Sequence, residues 1–201
     1  MESGSAGKRP YRLGARAAAV EATRTRVIEA AASLWMQRWY AEVTLQDIAA
    51  EADVSVQTIV NRFGSKEGLA DAVADWMASR VLADRQAPTG DVPAIVAVLF
   101  SDYELHGDAN VRWTMEEDVP AIARAIAGAR SLHRAWLEQV FADRLPVPGP
   151  VREHALNLHY AATDVTLWKL WRRDLGLSRE DAERAMRDLL ISIDPRRGHY
   201  E

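Results

Sequence analysis

The chain has 201 residues, enough for one sizeable hydrophobic core with a smaller module appended rather than for two large domains. A formal charge of −4 and a pI near 5.8 exclude a generic polyanion binder, and the absence of cysteine excludes disulfides and thiolate metal sites. The longest apolar run, residues 92–100, is broken by Pro93 and falls far short of the roughly 20 residues a membrane span needs; no signal-type apolar stretch precedes a cleavage site, so a cytoplasmic protein is expected.

The overall charge hides a local imbalance. Lys8, Arg9, Arg12, Arg16, Arg24 and Arg26 face only Glu2 and Glu21 in the first stretch. Residues 1–15 read as a basic arm, either a solubilising tail or cationic charge beside a nucleic-acid reader. A helical pattern, TRTRVIEAAASLW, follows from Thr23. Residues 44–63 then read TLQDIAAEADVSVQTIVNRF, two short helical patterns about a polar break. Thr44 and Asp47 have the spacing of a capping box, and Leu45, Ile48 and Ala49 share a face. Asp53 is one of the few non-glycine types that accepts a left-handed turn, which places the break there. Ser55 is positioned to cap the second helix, in which Ile59 and Phe63 point inward. Its other face carries Ser55, Val56, Gln57, Thr58 and Asn61, short or amide-bearing side chains suited to base edges in a major groove. Gly64 stops that helix, and Ser65, Lys66 and Glu67 start another whose amides and lysine suit a phosphate. With Thr44, Arg62 and Lys66 added, these residues are the expected contacts to double-stranded DNA.

The rest of the chain is helical in pattern. A connecting helix is expected over residues 67–85, and the Pro88 and Gly90 loop, residues 86–91, marks a domain boundary. An apolar segment over residues 92–105 ends at Gly107, a short one follows at 111–117, and Pro120 opens a helix with the stripe Ile122, Ile126, Ala129, His133, Trp136 and Val140. Pro146, Pro148, Gly149 and Pro150 interrupt. A long helix over residues 151–175 is then stopped by Gly176, and Ser178 with Asp181 caps a last helix ending before Pro195. The 151–175 helix has two apolar rows, Val151, Ala155, Leu158, Ala162, Val165 and Leu156, Tyr160, Thr163, Leu167, Leu170. Two such faces need two partners, one being the protein's own core and the other a second copy of the chain or a further part of the same monomer.

The stretch from Thr23 to Met77 resembles the N-terminal domain of the tetracycline-repressor (TetR) family of transcriptional regulators. The matching segments are TRTRVIEAAASLW, Tyr40, VTLQDIAAEADVSVQTIVNRF and GSKEGLADAV. Three positions depart from the family pattern. Trp39 and Asp53 stand where glycines are common, and Val60 replaces a frequent tyrosine that touches a phosphate. The resemblance implies an all-α protein with a helix-turn-helix domain over residues 16–66 and a regulatory and dimerisation domain over residues 86–201. It also implies a homodimer on a palindromic operator, which two recognition helices about 34–36 Å apart would read. Expected interface residues are Leu167, Leu170, Trp171, Met186, Leu189, Leu190 and Ile193.

A repressor of this kind is expected to leave its operator on binding a small, largely apolar or aromatic effector. The expected lining is Tyr103, His106, Trp113, Met115, His133, Trp136 and Trp168, all of which also suit an ordinary core. No cofactor or metal is expected. His154 and His159, five residues apart, lie about 140° apart on a helix and cannot share an ion as an i, i+4 pair could. Nucleophile-elbow and phosphate-loop motifs are absent, which disfavours an enzyme. A ligand-independent architectural DNA-binding protein has the same N-terminal signals and stays open.

Overall fold

The computed structural model describes residues 8–194, with side chains from residue 17 onward. Among these, every regular element is helical: α1 (Lys8–Gln37), α2 (Leu45–Glu51), α3 (Val56–Phe63), α4 (Lys66–Asp84), α5 (Val92–Thr114), α6 (Pro120–Val140), α7 (Pro150–Thr163), α8 (Val165–Lys169), a π-helical turn over Leu170–Asp174, and α9 (Arg179–Ser192). The chain divides into two compact units between Val73 and Ala74, inside α4. None of these helices is long and apolar enough to cross a membrane.

The first unit is built by short-range signals that agree with its burial pattern. Val27, Ile28, Ala31 and Trp35 form the buried stripe of α1, and Ile48, Ala49, Ile59, Leu69, Ala70 and Val73 close the core from α2, α3 and α4. Helix α1 starts at Lys8 rather than near Thr23. Ala17, Ala18, Ala19 and Ala22 explain this, since alanine sustains a helix without burial and residues 17–20 are all exposed. The side chains of Lys8, Arg9, Arg12 and Arg16, on which the reading of the basic arm depends, lie outside the described ones. Thr44 caps α2 in a complete capping box, its Oγ1 accepting from the Asp47 amide at 3.1 Å while its own amide donates to Asp47 Oδ2 at 2.8 Å. Asp53 takes φ 51°, so the chain turns left-handed between α2 and α3 without glycine. Ser55 then caps α3, accepting from Thr58 N at 3.1 Å. Gly64 ends α3 at φ 79°. Gly68 is needed for close approach instead. A Cβ on it would stand 2.1 Å from the Phe63 carbonyl oxygen, so only glycine lets the first turn of α4 pass over the end of α3.

In the second unit, Val92, Ile95, Val96, Leu99, Phe100 and Tyr103 of α5 pack with Trp136, Leu137 and Val140 of α6, Leu156 and Ala162 of α7, Trp168 of α8, and Ala182, Met186 and Leu190 of α9. Asp91 and Ser178 cap α5 and α9 through bonds of 3.0 Å.

In the second unit, three elements differ from the sequence expectation. Helix α5 does not end at Gly107 but runs on to Thr114. Gly107 is a notch for a ring: a Cβ there would stand 2.4 Å from Trp168 Cζ3. The expected continuous helix over residues 151–175 breaks at Asp164, whose backbone turns extended (φ −66°, ψ 145°) and whose Oδ1 caps α8 by accepting from Thr166 N at 2.8 Å. On α6, Ala129 is exposed and Leu137 is buried in the stripe instead, because an alanine has little apolar area to draw it inward.

Candidate nucleic-acid interface and the polar core of the second unit

Helix α3 turns Ile59 into the core of the first unit and leaves Ser55, Gln57, Val60 and Asn61 exposed, with Val56 and Thr58 half-buried. The exposed face is organised before any contact is made. Gln57 Nε2 donates to Asn61 Oδ1 at 2.7 Å, which fixes both amides and leaves Gln57 Oε1 as acceptor and Asn61 Nδ2 as donor. An adenine edge in the major groove offers the complementary N6 donor and N7 acceptor. Ser55 and Thr58 pair through their hydroxyls at 2.9 Å. Thr44 is exposed but spends its hydroxyl on Asp47, donating to Oδ2 at 2.9 Å. Asp47 consequently titrates below its ordinary range, held there by the Thr44 amide and then by the Thr44 hydroxyl.

The two cations expected at the interface are engaged within the first unit. Arg62 Nη1 donates to the Val20 carbonyl of α1 at 2.7 Å. Lys66 Nζ donates to the Tyr40 carbonyl at 2.5 Å and sits 4.1 Å from the centroid of the Tyr40 ring. Tyr40 in turn packs on buried Trp35, with ring centroids 5.3 Å apart. Their charge therefore stays near α3 while their geometry serves the fold of the unit.

Inside the second unit a chain of hydrogen bonds has a single direction. Arg85, which follows α4, donates from Nε to Asp102 Oδ2 at 3.1 Å and also from Nη2 to the same oxygen. Its Nη1 lies 3.0 Å from His133 Nδ1, and since a guanidinium only donates, Nδ1 accepts. The His133 proton then sits on Nε2, which donates to Thr163 Oγ1 at 2.9 Å, and Thr163 donates onward to the His159 carbonyl at 2.8 Å. Tyr103 donates to the Thr163 carbonyl at 2.8 Å, and Trp136 Nε1 to the Arg85 carbonyl at 2.8 Å. Burial, reinforced by Arg85, pushes the His133 imidazole down to about 3, which keeps it neutral. Asp102 is buried, which opposes its charge, yet hydrogen bonds from His106 and Arg85 hold its carboxyl below the ordinary value.

A pH dependence follows from His133. With its folded value near 3 and an ordinary value of 6.5, the unfolded chain binds the extra proton, so stability is lost as pH falls from about 6.5 toward 3. The slope from one proton is at most about 1.4 kcal/mol per pH unit. His133→Gln, which retains one donor and one acceptor, is expected to flatten urea-unfolding free energies over that window. Parallel curves for the two proteins would remove His133 as the source.

Residues 27–73 match the family described as bacterial regulatory proteins, tetR family. A 59-residue stretch is 41% identical to the HTH-type transcriptional regulator AlkX of Mycobacterium tuberculosis, spanning 29% of this chain and 28% of that protein. Residues 27–73 thus belong to the TetR family's N-terminal domain. The TetR-type fold extends beyond the matched stretch. Salmonella enterica GusR superposes with a TM-score of 0.68 at 19% identity, over 86% of this chain and 95% of that one. The multidrug binding protein EbrR, solved with imidazole, gives 0.60 at 22% identity over 86% and 89%. A tetR-family regulator from Streptomyces coelicolor gives 0.63 at 18% identity over 88% and 83%.

The expected effector residues fall into two sets. Tyr103, His133, Trp136 and Trp168 are buried, with the His133 and Trp136 rings stacked at 5.9 Å and those of Tyr103 and Trp168 tilted at 6.1 Å. His106 and Trp113 are half-buried, and Met115, 67% exposed, points to solvent. Of the expected interface residues, Met186 and Leu190 are enclosed in the protomer's own core, because α9 turns that face onto α5 and α7. Leu170 is exposed, and Leu167, Trp171, Leu189 and Ile193 are half-buried. Sequence reasoning missed Arg85 and Asp102, placed Thr163 only on an apolar row, and weighed His159 only as a metal ligand, whereas it is fully buried against Phe141 at 4.4 Å. Its imidazole, too, is pushed down by burial.

Proposed function

We propose that this protein is a homodimeric, sequence-specific DNA-binding regulator, a repressor that leaves a palindromic operator when a small aromatic or largely apolar molecule binds its second unit. The observation that carries this reading is the Gln57–Asn61 amide pair, locked at 2.7 Å on the exposed face of a helix capped at both ends. The pair presents one free acceptor and one free donor, the complement of an adenine edge. The description of AlkX as a transcriptional regulator supports DNA regulation, and that of EbrR as a multidrug binding protein supports an effector role for the second unit. A partner surface is supported by Leu170, 41% exposed, and Ile191, 37% exposed, which join half-buried Leu167, Trp171, Leu189 and Ile193. Packed rings around Trp168 favour one second reading, a ligand-independent DNA-binding protein. Release from operator by any small molecule separates the two.

Replacing Gln57 or Asn61 by Ala is expected to weaken operator binding by about 1–3 kcal/mol and to relax preference at one base pair. Fluorescence anisotropy on operator and on scrambled duplex reads this. Equal losses on both duplexes would make the two amides backbone contacts.

A further inference from the structure

Helices α6 and α7 border an open groove of about 520 Å³ lined by Arg130, Ser131, Arg134, Asn157, Tyr160 and Asp164. Its charged lining groups are two guanidiniums and one carboxylate, that of Asp164. Arg130 and Arg134 are one turn apart on α6 and only donate. Arg134 Nη1 donates to Asn157 Oδ1 at 2.9 Å, so Asn157 presents its Nδ2 as a donor. Asp164 commits Oδ1 to the cap of α8. The phenol of Tyr160 stays protonated, since burial and then the Asp164 charge raise its titration.

The guanidiniums are held by carboxylates that a ligand can displace. Arg130 is bidentate to Glu117 at 2.6 and 3.0 Å, and Arg134 meets Glu153 at 2.5 Å. Glu117 and Glu153 are 40% and 61% exposed, and ion pairs so open to water contribute only about 0–1 kcal/mol. A carboxylate bridging two guanidiniums gains charge-assisted bonds from both. The groove also has an aromatic floor that leads inward. The Tyr160 ring meets His133 edge-on at 5.1 Å, and His133 is the residue bonded to Arg85.

We propose that the groove between α6 and α7 binds an aromatic carboxylate, its carboxyl taken by Arg130 and Arg134 and its ring laid on Tyr160. The ligand is thereby linked to the buried Arg85–His133 chain through the Tyr160 ring, without entering the packed core around Trp168. This site rests on the reading of the second unit as an effector-binding unit and gives that effector a chemical class.

The test uses the full chain, with 2-naphthoate and its neutral counterpart 2-naphthalenemethanol as probes in calorimetric titration. Naphthoate is expected to bind about tenfold or more tightly than the alcohol, and Arg130→Gln with Arg134→Gln to remove that difference. Tyr160→Leu weakens both probes. All six lining residues are at least partly exposed, and matched unfolding midpoints show that the variants are folded. Equal binding of the two probes, no binding of either, or naphthoate binding indifferent to the arginine changes would each overturn the groove assignment while leaving the effector reading standing. Naphthoate held by the arginines without any change in operator affinity would confirm the site and sink the effector reading.

Discussion

Asp102→Ala is expected to destabilise the second unit by about 3–5 kcal/mol, because it strands a buried guanidinium. The side chains of Arg85 and Asp102 are only 10% and 13% exposed, so neither charge can turn to water for compensation. The loss belongs to the broken pair and not to the ionic bond as such. Arg85→Met combined with Asp102→Leu is therefore expected to recover most of it, less about 1–3 kcal/mol for the donor that His133 Nδ1 loses. Urea unfolding of the three proteins measures this, and an Asp102→Ala protein within about 0.5 kcal/mol of wild type would refute the buried pair.

Trp168→Ala is expected to cost about 3–5 kcal/mol, the range for emptying a packed aromatic site. Trp168 has no exposed surface, and its Nε1 donates to Glu104 Oε1 at 3.1 Å, with Arg173 stacked 4.6 Å from its ring. Gly107 shares the same space. Gly107→Ala alone brings a methyl against the ring and is expected to cost about 1–3 kcal/mol, but on the Trp168→Ala background the methyl enters the vacated space and the cost disappears. A double-mutant cycle by chemical denaturation reads this coupling. Additive losses would mean that the ring and the notch do not meet.

Features legible in the sequence were those whose cause is local. Thr44, Asp53, Ser55 and Ser178 act on backbone groups within three residues, so residue type and spacing sufficed to place α2, the turn, α3 and the start of α9. The exposed face of α3 was legible for the same reason, as Ile59 fixes which side of an eight-residue helix is turned away from the core. Failures came where the cause is distant. Gly107 looks like a helix stop until Trp168 is placed against it, and Arg85 meets Asp102 and His133 from 17 and 48 residues away. The bonds from Arg62 to Val20 and from Lys66 to Tyr40 were not legible either, because nothing near these two expected DNA contacts announces such partners. Asp164 could have been found, since aspartate is a preferred N-cap residue, but apolar spacing continues across it and concealed the break.

The central claim is that α3 reads sequence as part of a symmetric pair. Selection of randomised duplex DNA by the purified full chain tests it most directly, since it presumes no operator. Enrichment of one palindromic motif whose half-sites are a helical turn apart is expected, with altered preference at a single position in each half-site when Asn61 is replaced by Ala. Retention of DNA with no enriched motif, or an enriched motif without two-fold symmetry, would contradict it.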